Sequence, residues 1–138
     1  MTYALDIRVY FEDTDAAGVV YYGNYLKFME RARSQWFKDH SIGMKQLMDK
    51  HSAVFVVSHT ELAYHRSARL EDLLSVTVQV ERLRKASAVF KQEVFCNGQL
   101  LCSGKTRVGC VNTQTMRPVS IPAQVTDDLS RLACTSNS

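Results

Sequence analysis

The stretch Gly23-Asn24-Tyr25-Leu26-Lys27-Phe28-Met29-Glu30-Arg31-Ala32-Arg33-Ser34-Gln35-Trp36 decides the fold, because the hydrophobic period changes there. Tyr25, Phe28, Met29, Ala32 and Trp36 recur at intervals of three and four, while Lys27, Glu30, Arg31, Arg33 and Lys38 take other faces. That pattern predicts an amphipathic helix of about four turns whose stripe is deeply buried. Upstream, Leu5, Ile7, Val9 and Phe11 alternate with Asp6, Arg8 and Tyr10, which predicts a half-buried strand over residues 3–11. Between the two periods lies Glu12-Asp13-Thr14-Asp15-Ala16-Ala17-Gly18, polar and small, and therefore a loop.

Downstream of the helix, a short second helix is expected around Met44–Lys50, and then the chain turns to β-structure. Residues 53–66 and 72–84 are rich in Val, Phe, Thr and Tyr, and Val76, Val78 and Val80 alternate. A tight turn at Arg84–Ser87 leads to Ala88–Cys96. Asn97-Gly98 then supplies a strong hairpin signal, because both residues tolerate positive φ. Leu100–Asn112 returns, and Pro122 opens a short helix over Ala123–Leu132. Long strands joined by short turns predict an antiparallel meander. Packing the helix on one face of that sheet buries both apolar surfaces, so the expected class is α+β.

Composition narrows the function classes. With 138 residues, 46% hydrophobic and 22% charged, the chain suits a single domain over 1–138 with a frayed tail at 134–138. No apolar run reaches the ~18 residues of a membrane helix. Met1–Tyr10 lacks the basic and apolar regions of a signal peptide, so a cytoplasmic location is expected. Seventeen Lys and Arg against 14 Asp and Glu give +3, too weak a bias for a nucleic-acid partner. The densest basic cluster, Arg82, Arg84 and Lys85, reads on composition as a solvated turn first and a phosphate contact second. Cys96, Cys102, Cys110 and Cys134 show no C-x-x-C spacing and read as reduced thiols.

Several familiar motifs fail on spacing. Ser103-Gly104-Lys105-Thr106 ends like a P-loop, but five residues separate Gly98 from Gly104 where four are required, and Lys105 falls within a strand. Asp13-x-Asp15 begins like a calcium loop, yet its fifth and twelfth positions are Ala17 and Asn24. His40, His51, His59 and His65 have no metal-ligand spacing, and there is no G-x-S-x-G. No metal and no cofactor are expected.

What survives is Asp13-Thr14-Asp15-Ala16-Ala17-Gly18-Val19-Val20-Tyr21-Tyr22-Gly23-Asn24-Tyr25. Carboxylates leave a strand, and an apolar segment carries the chain to a helix start. Burial there raises a carboxyl pKa, whereas the helix dipole lowers it. Unpaired N–H groups at the helix end can hold an oxyanion. Asp and Thr before a helix also serve as turn and cap residues, and local pattern alone favours that plainer reading.

This stretch, continued by Leu26-Lys27-Phe28-Met29-Glu30-Arg31-Ala32-Arg33, resembles the hotdog-fold acyl-CoA thioesterases. It is most similar to the YbgC-like branch associated with the Tol-Pal system, and beyond it to 4-hydroxybenzoyl-CoA thioesterase. The likeness continues more loosely through Ala63–Asp72 and the Leu83–Ser87 turn. It implies a long antiparallel sheet wrapped around the helix and hydrolysis of a short-chain aliphatic or aromatic acyl-CoA to acid and CoA. It also implies that Asp15 is nucleophile or general base, that the Tyr22 backbone N–H is the oxyanion donor, and that Gly18 permits a tight turn. Arg84 and Lys85 would contact the CoA phosphates and Ser87 the nucleotide. Many YbgC-like members carry His at the place of Tyr22, so the chemistry here would fall to Asp15 and main-chain donors. The family pairs two chains, or four as a homotetramer, with active sites between subunits. Two other readings of such a scaffold are a hydratase or dehydratase, and a non-enzymatic module that binds acyl carrier protein or Tol-Pal components.

Overall fold

Strand β1 (Tyr3–Arg8) leads through the polar loop to helix α1 (Asn24–His40), which runs for 17 residues. A shorter helix, α2 (Met44–His51), precedes four strands: β2 (Ala53–Tyr64), β3 (Leu73–Leu83), β4 (Ser87–Cys96) and β5 (Gln99–Asn112). Helix α3 (Ala123–Ser130) follows. The computed structural model describes residues 2–133, so the expected frayed tail at 134–138, with Cys134, lies outside the described residues.

The strands form one antiparallel sheet in the order β1-β3-β4-β5-β2. The expected meander therefore holds for β3-β4-β5 only. Turns as short as Arg84–Ser87 and Asn97-Gly98 leave the chain no choice but the neighbouring position. Asn97 and Gly98 adopt φ of 51° and 78°, as a two-residue hairpin turn requires. The longer connection over 65–72 releases β3 from β2. It carries the chain across to β1, while β2 closes the far side of the sheet against β5.

One apolar cluster joins α1 to the sheet. Tyr25, Phe28, Met29, Ala32, Trp36 and Phe37 are buried with Leu74, Val76, Val78 and Val80 of β3 and with Ala88, Phe90 and Val94 of β4. Burying side chains of this size contributes about 1.5–3 kcal/mol each, which is why the helix lies on the sheet and not in solvent.

Two local expectations are corrected. Arg33 does not take a polar face: it is 9% exposed, donates to Gln92 Oε1 at 2.8 Å and lies 5.9 Å from the Phe90 ring centre. Its place one turn from Met29 and Trp36 carries it under the sheet, where burial pushes its pKa down. The first strand ends at Arg8, not at residue 11. Val9 is fully buried, but the backbone then coils into a single 3-10 turn at Phe11–Asp13 and turns Phe11 outward, 81% exposed.

Candidate active site

The loop between β1 and α1 is a hairpin held largely by its own backbone. The Asp15 N–H donates to the Val19 carbonyl at 2.9 Å, and the Gly18 N–H donates to the Asp15 carbonyl at 3.0 Å. Thr14 pairs with Val20 at the hairpin base, and Gly18 closes the turn at φ +79°, a conformation that costs glycine little. Asp15 Oδ1 accepts the Ala17 N–H at 2.8 Å, the side-chain turn that aspartate favours. Among the described residues Oδ2 has no partner. Asp15 is exposed in the single chain, so the apolar Val19-Val20 segment does not enclose it as the sequence suggested.

The first acid of the pair, Asp13, fastens this loop to the helix. Its Oδ2 accepts the Tyr10 N–H at 2.9 Å, its Oδ1 accepts Asn24 Nδ2 at 2.8 Å, and its carbonyl accepts the Tyr21 N–H at 3.0 Å. Asn24 opens α1, and its N–H donates to the Tyr21 carbonyl at 2.8 Å, so Tyr21-Tyr22-Gly23-Asn24 is a β-turn feeding the helix. A trans peptide directs its C=O and N–H to opposite sides. With the Tyr21 carbonyl engaged by Asn24, the Tyr22 N–H is turned away from that bond. Among the described residues neither the Tyr22 nor the Gly23 N–H meets an acceptor. They extend the unpaired donors of the helix end, the arrangement that can stabilise an oxyanion.

Aromatic rings line the same corner. Tyr22 meets Tyr21 at 4.7 Å and Tyr64 at 6.2 Å between ring centres, and Tyr64 meets Tyr25 edge-on at 5.6 Å. Tyr25 is buried, and its hydroxyl accepts the Ala68 N–H at 3.0 Å, which stitches the 65–72 connection to α1. The Tyr64 hydroxyl donates to the Tyr22 carbonyl at 3.2 Å. Desolvation raises the pKa of both Tyr25 and Tyr64 above the usual 10.0.

The expected phosphate turn lies elsewhere. The Arg84 N–H donates to the Ser87 carbonyl at 2.8 Å, which closes the β3–β4 turn, and the Lys85 carbonyl accepts the Ile121 N–H. Arg84 and Lys85 are exposed and Ser87 is half-buried. The Asp15 loop leaves β1 where Arg8 pairs with Leu73, at the start of the 11-residue β3, whereas Arg84 follows its end. At ~3.3 Å per residue the two groups are roughly 30 Å apart along the sheet. Asp15, Gly18 and Tyr22 are therefore gathered in one hairpin and turn, and Arg84, Lys85 and Ser87 form a second group at the opposite end.

Two contributors to this corner were not anticipated. Asp13 could have been suspected from the pairing of an acid with an Asn eleven positions on, but that link exists only once the loop is folded. Tyr64, 42 positions from Tyr22, left no local signal at all.

Comparison with known proteins bears on the family and the fold. The family model described as "Thioesterase-like superfamily" matches residues 9–129, which include the whole hairpin, α1 and the sheet from β2 to β5. The chain is 36% identical over 123 residues to acyl-CoA thioesterase YbgC of Haemophilus influenzae, covering 89% of this chain and 90% of that protein. It is 37% identical over 120 residues to acyl-CoA thioester hydrolase YbgC of Escherichia coli, covering 86% and 89% respectively. Among solved structures, a probable thioesterase from Bartonella henselae superposes with a TM-score of 0.84 at 30% identity, over 88% of this chain and all of that one. The sheet order and these matches agree, and the chain belongs to the thioesterase-like superfamily.

Proposed function

We propose that this protein is an acyl-CoA thioester hydrolase, converting R–CO–S–CoA and water to R–COOH and CoA. The observation that carries the reading is the pairing, within one short segment, of the free Asp15 Oδ2 with the acceptorless N–H groups of Tyr22 and Gly23. In this mechanism the carboxylate attacks the thioester carbon or removes a proton from the attacking water. The carbonyl oxygen gains negative charge and accepts the Tyr22 N–H. Collapse of the tetrahedral species expels CoA as thiolate, which on the general-base route takes back the proton that Asp15 drew from water. On the nucleophilic route the acyl group stays on Asp15 as an anhydride, which water then hydrolyses to release the acid, restore the carboxylate and protonate the thiolate. The backbone donors are in place before charge develops, which is how such groups lower a barrier.

The distance between the two residue groups favours an oligomer. Arg84 and Lys85 follow the far end of β3 from the Asp15 loop, and we assign the CoA phosphates to this turn on a partner subunit. Strand β2 supplies an open sheet edge with Val57 and Tyr64 exposed, suited to pairing with a second copy. A dimer is the minimal unit, and a homotetramer would be two of them. The chain has no helix long and apolar enough to cross a membrane among its described residues, and the buried thiols of Cys102 and Cys110 suit the reducing cytoplasm.

The test is CoA release from a panel of acyl-CoAs, aliphatic and aromatic, by the native protein and by Asp15→Asn. Asn keeps an oxygen for the Ala17 N–H but has no charge, so the fold should persist while turnover disappears. Equal rates for the two proteins would remove Asp15 from the mechanism. Binding of acyl carrier protein or Tol-Pal components without release of any acyl group would replace the enzyme reading with a binding module.

A further inference from the structure

We infer that Tyr64 is a positioning residue that locks the oxyanion turn in its donor-outward form; this rests on the thioesterase reading above. The turn Tyr21-Tyr22-Gly23-Asn24 has Gly23 at its third position, with φ −67° and ψ −21°. That is the type I form. Glycine at the third position also permits type II, reached when the central Tyr22–Gly23 peptide rotates by about 180° and Gly23 moves to positive φ. The rotation would reverse the Gly23 N–H and swing the Tyr22 carbonyl towards the side the donors face. A carbonyl dipole there would oppose the negative charge that the donors are placed to receive.

Among the described residues one group holds the Tyr22 carbonyl in its present direction. It is not accepted into the helix ladder, since the Leu26 N–H goes to Gly23 at 3.3 Å. Its partner is the Tyr64 hydroxyl at 3.2 Å. Tyr64 ends β2, where it pairs with Cys102 of β5, and its ring is braced edge-on by Tyr25 of α1. The hydroxyl is therefore delivered from the sheet across to the turn. Tyr64 touches no reacting atom in this scheme; it acts through the main chain of Tyr22.

The experiment compares native protein, Tyr64→Phe, Gly23→Ala with Tyr64→Phe, and Asp15→Asn on one acyl-CoA. Phe keeps both ring contacts and loses only the hydroxyl. The expected result is a fall in kcat of about tenfold with KM within twofold, less than the loss of an oxyanion donor itself. Ala at position 23 penalises positive φ, so adding it should restore most of the lost kcat; its Cβ would meet the half-exposed Tyr21 ring, 2.8 Å away, which must shift to make room. A kcat within twofold of native, a loss confined to KM, or no recovery by Gly23→Ala overturns the inference. So does a large drop in melting temperature for Tyr64→Phe, which would make the contact structural. If Asp15→Asn turns over at the native rate, the thioesterase reading fails instead, whatever Tyr64 does.

Discussion

Arg33 on helix α1 donates to Gln92 Oε1 at 2.8 Å beneath the sheet, and the same amide returns its own hydrogens to the Met29 and Thr77 carbonyls at 3.0 and 3.2 Å. Gln92 is 1% exposed, so one side chain satisfies a buried cation, a helix carbonyl and a strand carbonyl together. Gln92→Ala should cost roughly 3–5 kcal/mol, because it strands a buried guanidinium. The double variant Gln92→Leu with Arg33→Met should be less damaging than Gln92→Ala alone. Urea unfolding of the set measures this, and a double variant weaker than the single one would contradict it.

Asp13→Ala removes acceptors from Tyr10 and Asn24 at the loop's attachment to α1. Stability should fall by about 1–2 kcal/mol, and kcat should fall too as the hairpin loosens. Asp13→Asn retains one acceptor and should be milder on both counts. Thermal melts and steady-state kinetics separate the two variants.

Replacing Arg84 and Lys85 together with Ala should raise KM for acyl-CoA about tenfold and leave kcat nearly unchanged. A phosphate far from the reacting carbon is bound alike in ground and transition states, so its contacts do not alter the chemical step. Rising salt should narrow the difference between this variant and the native protein. A change confined to kcat would remove these residues from CoA binding.

The fold was legible where periodicity carries it. The α1 stripe, the β3-β4-β5 hairpins and the Asn97-Gly98 turn each follow from local spacing, and each stands in the structure within a few residues. The position of β2 was not legible, because pairing with β5 depends on where two helices deliver the chain and not on its own sequence. Arg33 was misplaced for a similar reason. A charged residue is buried only when an acceptor such as Gln92 waits 59 positions away. In the candidate site, Asp15, Gly18 and Tyr22 share one contiguous segment, so sequence could group them. Tyr64 and Asp13 act through folded backbone, and residue types alone do not announce that.

Cys102 is fully buried, and its thiol is pushed up to about 11 from the usual 9.0 by desolvation. The native protein should resist alkylation at this position at pH 8, with modification following unfolding, as peptide mapping will show. The folded-state pKa lies above the unfolded one, so this thiol's contribution to stability is complete below pH 9. It should be lost as pH rises from about 9 to 11. A melting temperature that holds steady across that window would argue against burial of the thiol.

The sheet order β1-β3-β4-β5-β2 also sets a sequence of events in time. The β3-β4-β5 hairpins join residues close in the chain, whereas β1 must find β3, with Tyr3 meeting Val78, and β2 must close on β5 across the intervening strands. Non-local pairings bear the larger loop-closure cost and come late in folding. The Asp15 hairpin hangs between β1 and α1, and Tyr64 ends β2, so both halves of the oxyanion corner belong to the last segments to dock. Substitutions at Phe90 or Val94 should slow refolding, while those at Asp13 should chiefly hasten unfolding. By loop-closure cost, the corner of Asp15 and Tyr64 is thus expected to be completed late in folding.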